Sequence, residues 1–355
     1  MTLDIRKLNA QIATPDGGAM GRARARWNSI AKPIGSLGLL EDAVTRIAGL
    51  VGSERVDIKK RAVIVMCADN GVVSEGVTQT GQEITALVAG NIARGDASVC
   101  RMARVAGAEV TAVDIGMVKR APGVLDYHIK NGTNNIAQGP AMTPQEAVRA
   151  IAVGMELVRE YRDKGYRIIA TGEMGIGNTT TSSAMAAVLL NRPVCEVTGR
   201  GAGLTNEGLS RKTEAISRAI AVNRPDGNDA LDVLQKVGGL DIAGMTGLFL
   251  GGALYRVPVL IDGFISAVAA LTAKRLCENS TACMTAAHAS AEPATQSVLA
   301  ALGMRPLICA DMRLGEGTGA VAALPLLDMA LSVYNEMDTF SQIGMEAYTA
   351  PGENE

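Results

Sequence analysis

The run YRIIATGEMGIGNTTTSSAMAAVLL, Tyr166–Leu190, joins a β-branched apolar segment to an Ala/Met/Leu-rich helical one. The turn between them holds Gly172, Gly175 and Gly177. A strand, a glycine-rich turn and a helix start together form an anion site, because free backbone N–H groups and the helix dipole face outward there, although a capped helix with no ligand fits the same pattern about as well. Gly175 and Gly177 let the backbone approach a ligand closely. Asn178, Thr179 and Thr180 offer an N-cap and further donors. No lysine follows the second glycine, so the spacing is not that of a P-loop, nor is it the dinucleotide fingerprint. A phosphate borne by a small ligand fits better. Glu173 stands inside this turn and needs its own explanation.

Outward from this run, strand-like and helix-like segments alternate. AVIVMCAD (62–69), EVTAVDIG (109–116), RIIATG (167–172) and VPVLIDG (257–263) are short and β-branched. TACMTAAH (281–288) and PLICAD (306–311) are weaker candidates. Continuous apolar strands separated by helices predict an α/β fold, with a parallel sheet covered on both faces. Pro258 places its strand at a sheet edge or marks the strand's start. Asp69, Asp114, Glu173 and Asp262 fall at strand ends, where open parallel sheets bind ligands. For any one of them, capping a turn is the commoner role.

The chain ends differ from the middle. Residues 20–52 read as helical around the turn KPIGSLG (32–38). AVAALPLLDMALSVYNEM (320–337) reads as a long apolar helix that Pro325 kinks or restarts. These segments predict a small helical domain, residues 20–55 plus 325–348, beside a large α/β domain at 56–324. The tail TAPGENE reads as a loose end.

Composition narrows the function. The 355 residues are 48% apolar, carry 34 Lys+Arg against 36 Asp+Glu, and are only 3% aromatic. No basic face or stacking platform favours nucleic acid. The N-terminus lacks an apolar signal region, and apolar runs elsewhere are too short to span a bilayer. Six scattered cysteines without C-x-x-C spacing fit a reduced, cytoplasmic protein. Two distant histidines give little material for a metal site or a Ser-His-Asp triad.

Two further glycine-rich stretches carry chemistry. GRGAGLTNEGLSRK (199–212) offers Gly201 for the cradle and Lys212 as a counter-charge, although a lone lysine is more often solvated. In DMRLGEGTGA (311–320), Glu316 sits between Gly315 and Gly317 before the long helix. It serves either the helix dipole or, desolvated, as a general base. Two carboxylates and an anion cradle point to chemistry at the anomeric carbon of a sugar phosphate.

Taken together, ADNGVVSEGVT, GEMGIGNTTTSSAM, GRGAGLTNEGLSRK, KVGGLDIAGMTGLFLGGA, VPVLIDGFIS, MRLGEGTGA and KPIGSLG resemble the nicotinate-nucleotide:dimethylbenzimidazole phosphoribosyltransferases from about residue 20 to about 345. The resemblance implies a Rossmann-like large domain and a small domain built from both chain ends. It also implies dimers in which the small domain of one subunit helps to close the site of the other. The implied reaction moves the 5-phosphoribosyl group of nicotinate mononucleotide to an aromatic acceptor, inverting to the α-ribotide that becomes the lower ligand of cobamides. No metal or cofactor is implied.

By the same resemblance, Glu316 is the base and Glu173 lines its pocket. Gly175, Gly177, Asn178, Thr179, Gly201 and Lys212 hold phosphate, and Thr80, Val88, Met174 and Leu314 face the acceptor. Two positions depart from the family pattern: Asn70 replaces a histidine, and Val88 a glutamine found in some relatives. Valine cannot bond the second nitrogen of a benzimidazole, which opens the site to phenol or p-cresol. If Val88 only repacks the pocket, dimethylbenzimidazole remains the acceptor; if phenols are used, the partner subunit is a second copy or, in a heterodimer, a paralogue. A non-catalytic scaffold subunit is the alternative, against which the retention of both carboxylates and both glycine turns argues.

Overall fold

The computed structural model describes residues 5–348; the expected loose tail, 349–355, lies outside them. Six parallel strands form the main sheet: β1 (Arg61–Ala68), β2 (Ala108–Gly116), β3 (Leu125–Asp126), β4 (Ile168–Met174), β5 (Val259–Ile261) and β6 (Met284–Ala286), in the order β3-β2-β1-β4-β5-β6. A separate two-stranded sheet pairs β7 (His288–Ala289) with β8 (Ile308–Cys309). The strongest sequence strands are the central ones. All eight residues of β1 are buried, as expected for a strand covered on both faces.

Alternation along β1 divides the core in two. Ile64, Met66 and Ala68 pack with the helices Pro144–Asp163, Leu240–Tyr255 and Phe264–Leu276. Val63, Val65 and Cys67 face the helices Gly17–Ser29, Leu39–Val51, Ser98–Val105 and Thr318–Glu336. The two chain ends therefore meet on one face. Trp27 packs on Tyr334 with ring centroids 4.8 Å apart. Arg26 donates to the carbonyls of Tyr334 and Met337, each at 3.0 Å.

Three local expectations are resolved. β5 lies between β4 and β6, so of the two readings of Pro258 the strand start holds and the edge does not. Pro258 precedes its first residue, and the Pro258 carbonyl accepts Ile169 N–H at 2.9 Å, so the missing donor costs no ladder bond. Of residues 306–311, Ile308–Cys309 form β8, in the small sheet instead of the main one. Helix Thr318–Glu336 runs through Pro325 without a restart. Among the described residues no helix is long and apolar enough to cross a membrane.

Candidate active site

Strands β1 and β4 end in register, Met66 opposite Glu173 and Cys67 opposite Met174. The carboxyl ends of β4 and β5 bring Glu173, Met174 and Asp262 to the wall of a cavity of about 310 Å³. Both expected carboxylates, Glu316 and Glu173, line it. So do the glycine-turn set Gly175, Gly177, Asn178, Thr179, Gly201 and Lys212, and the set Thr80, Val88, Met174 and Leu314. Segments more than 200 residues apart in the chain thus converge on one space.

Glu316 is held in an unusual backbone. Gly315, Glu316 and Gly317 have φ of 86°, 62° and 94°. The left-handed region costs a non-glycine residue about 1 kcal/mol, so the turn persists only because its surroundings fix it. It presses onto β4, where a Cβ on Gly172 would lie 2.5 Å from the Glu316 carbonyl oxygen. One Glu316 oxygen accepts the Val99 N–H at 3.3 Å, at the start of helix Ser98–Val105. Burial raises the carboxyl above its ordinary range, the Val99 bond opposes this, and the negative Asp262 adds to it. A carboxylate with raised proton affinity, facing a cavity, has the properties of a general base.

Glu173 is 8% exposed. The Asn178 side-chain amide donates to it and, at 3.0 Å, to Asp241. Burial and the Asp241 charge push Glu173 up to about 8. Burial likewise pushes Asp241 up to about 6. Burial and the Asp241 charge both favour the protonated form of Glu173. The capping expectation for Asn178 needs correcting. Gly177 occupies the N-cap position with no side-chain bond, and the Asn178 amide turns inward to the two carboxyls. Two buried acids need that donor, because a buried carboxyl without a hydrogen bond is costly.

The turn expected to cradle an anion, Gly175–Thr179, lines the same cavity. Asn178 N–H bonds to the Gly175 carbonyl, and Thr180 and Thr181 N–H to that of Gly177, which leaves Thr179 N–H without an acceptor among the described residues. Lys212 is fully buried rather than solvated. It donates to Thr179 Oγ1 at 2.8 Å and to the Gly199 carbonyl at 3.0 Å. Burial holds its ammonium down to about 8, partly offset by Glu292. Both bonding partners are neutral, so this cation is positioned to receive an anion from the cavity.

The cavity wall also contains Asp262, His288, Ser290 and Glu292, which sequence reasoning did not assign as site residues. Asp262 was visible as a strand end. Asp241, beside Glu173, had only its place after a Gly-Gly pair at a helix start to mark it. No spacing rule links residues 178 and 241; only the fold brings them together. Val88 and Met174 are half-buried, and Leu314 is 56% exposed at the rim.

Comparison with known proteins places the chain in a family. A family model described as phosphoribosyltransferase matches residues 12–345. The nicotinate-nucleotide–dimethylbenzimidazole phosphoribosyltransferase of Ruminiclostridium cellulolyticum is 46% identical over 331 residues, 93% of this chain and 94% of its own. The enzyme of that name from Clostridium acetobutylicum is 43% identical over 348 residues, 98% and 99% of the two chains. The crystal structure of CobT from Thermus thermophilus superposes with a TM-score of 0.88 at 40% identity, covering 93% of this chain and all of that one. The chain is a pentosyltransferase and belongs to the nicotinate-nucleotide–dimethylbenzimidazole phosphoribosyltransferase family.

Proposed function

We propose that the protein transfers the 5-phosphoribosyl group of nicotinate mononucleotide to an aromatic acceptor, with Glu316 as base. The observation that carries this reading is the shared cavity, in which a buried ammonium without a bonded carboxylate and a carboxylate of raised proton affinity both face the same space. Lys212, Gly175, Gly177, Thr179 and Gly201 hold the donor's phosphate. Glu316 takes the proton from the acceptor N–H or O–H as its lone pair attacks C1′. The C1′–N bond breaks and its electron pair stays on the departing nicotinate nitrogen. Attack opposite the leaving group inverts the β-nucleotide to the α-ribotide. The pyridinium is already a good leaving group, so positioning and one proton transfer suffice. Glu173, whose burial beside Asp241 favours its protonated form, orients the ring or assists.

Val88, Met174 and Leu314 give the acceptor end an apolar lining. That lining supports acceptors that lack a second nitrogen, such as phenol or p-cresol, alongside dimethylbenzimidazole. The test mixes the purified chain with nicotinate mononucleotide and equal phenol and dimethylbenzimidazole. Nicotinate release with α-ribotides of both acceptors is expected. Benzimidazole product alone removes the phenol reading, and activity only on adding a paralogous partner marks the chain as a scaffold subunit. Glu316→Gln should lower turnover at least ~10²-fold with donor binding largely kept; near-parental turnover would move the base elsewhere.

A further inference from the structure

One buried carboxylate in the cavity wall has no part in the steps above. Asp262, one residue beyond β5, is 3% exposed. Its Oδ2 accepts the Gly317 N–H at 3.2 Å and its Oδ1 accepts the Ala320 N–H at 2.9 Å. Both donors belong to the turn and first helical residues that carry Glu316. Asp262 thus does from a distant strand what an N-cap does locally, since Gly317, at the N-cap position of that helix, has no side chain with which to cap it.

His288 backs this clamp. Its Nε2 lies 3.8 Å from Asp262 Oδ1, and the ring is 4% exposed. The ring fits because residue 319 is glycine, where a Cβ would collide with it, and because a Cβ on Gly263 would already lie 3.3 Å from Nε2. Asp262 is itself held by its backbone N–H, which donates to Ser266 Oγ at 3.2 Å and Thr171 Oγ1 at 3.3 Å.

We propose that Asp262, backed by His288, is the positioning residue that fixes the left-handed turn of Glu316 and sets where and how its carboxylate meets the acceptor. The inference rests on Glu316 being the base. Through two N–H groups it ties the turn to the end of β5, next to the strand that delivers Glu173. The groups facing Glu316 are few: Asp262 from β5, Glu173 from β4, and the Val99 N–H and Cys100 from helix Ser98–Val105. Arg313 precedes it on its own loop and lines the same cavity. Of these, Asp262 alone both bonds the turn and bears a charge that makes Glu316 harder to ionise.

The test uses Asp262→Asn in the full chain, beside Glu316→Gln. If Glu316→Gln keeps its turnover, the base assignment fails, and this inference fails with it but is recognisable as the secondary loss. If Glu316→Gln is inactive, Asp262→Asn decides. Asparagine keeps one acceptor oxygen but sets an NH₂ against the other N–H and removes the charge. The expected result is a kcat 10- to 100-fold lower, with the donor KM within twofold of the parent. The acid limb of kcat/KM should also move to lower pH, because a Glu316 freed of its negative neighbour ionises more easily. An unmoved acid limb, a kcat within twofold, or a loss carried by donor KM would overturn the proposal, since a general structural defect produces no selective shift in pH profile. Should Asp262→Asn fail to melt cooperatively, His288→Gln is read the same way. A kcat at least threefold lower with donor KM kept supports the clamp, and a parental kcat overturns it.

Discussion

Lys212 concentrates the logic of the site in one side chain. It sits within helix Asn206–Asn223, fully buried, bonded to a hydroxyl and a carbonyl. An ammonium so placed lowers stability, because its desolvation is not offset by a bonded anion. On the proposed function, the donor phosphate supplies that anion. Replacing Lys212 by methionine, similar in length and uncharged, should therefore act with opposite signs on two measurements. The melting temperature should hold or rise. Donor affinity by calorimetric titration should fall about 10- to 100-fold, the worth of a hydrogen bond to a charged group. The pH dependence follows from the same burial. With its ammonium held down to about 8, free-enzyme Lys212 is charged below that value and neutral above it. Donor kcat/KM should fall as pH rises through about 8, and Lys212→Met should lack that limb. From sequence, Lys212 was one lysine on a polar helix; only packing against Thr179 and Gly199 makes it singular.

At the scale of elements, the site depends on how tightly helices seat the sheet. Helices Pro144–Asp163 and Leu240–Tyr255 cross backbone to backbone. A Cβ on Gly154 would run into the Gly244 carbonyl, and one on Gly247 into the Ile151 carbonyl. Those carbonyls belong to helical backbone and cannot yield as a flexible side chain would. Gly247→Ala should therefore destabilise the protein by about 2–3 kcal/mol, read as a lower urea midpoint at unchanged m-value. An unaltered midpoint would mean that the crossing is looser than these contacts require. Such crossings also explain what the sequence could reveal. Long β-branched runs such as residues 62–69 announce a buried parallel strand, so β1, β2 and β4 were legible. β3 has two residues and no pattern to detect, and β7 and β8 pair outside the main sheet through contacts that no local run encodes. The glycine turns were legible as ligand loops because glycine is costly elsewhere. The carboxyl pair Glu173–Asp241 was not, because its meaning lies in a contact made by folding.

At the scale of the whole molecule, the terminal helices raise the question of independence. The separate helical domain expected from the sequence would place residues 20–55 and 325–348 apart from the α/β body. Their packing bears on how they unfold. Trp27, Ile30, Val44 and Ile47 share one core with Val63, Val65 and Cys67 of β1 and with Leu324 and Leu327 of the last helix. That helix begins immediately after the Glu316 turn. Arg61, 6% exposed at the start of β1, forms a two-pronged pair with Asp328 at 2.7 and 2.9 Å, joining sheet to helix across the proposed boundary. A unit whose apolar face is the sheet's own cover has little core left if it detaches, so it should unfold with the body. Trp27 is the only tryptophan in the chain, and it lies in the terminal helices. Its fluorescence therefore reports on them alone, while far-ultraviolet circular dichroism averages over all elements. The two thermal transitions are expected to superimpose, as they do for one cooperative unit. A tryptophan transition that precedes the main one would show instead that the chain ends form an autonomous domain, and that the turn bearing Glu316 is held without them, by the β5 clamp, β4 and the Val99 N–H.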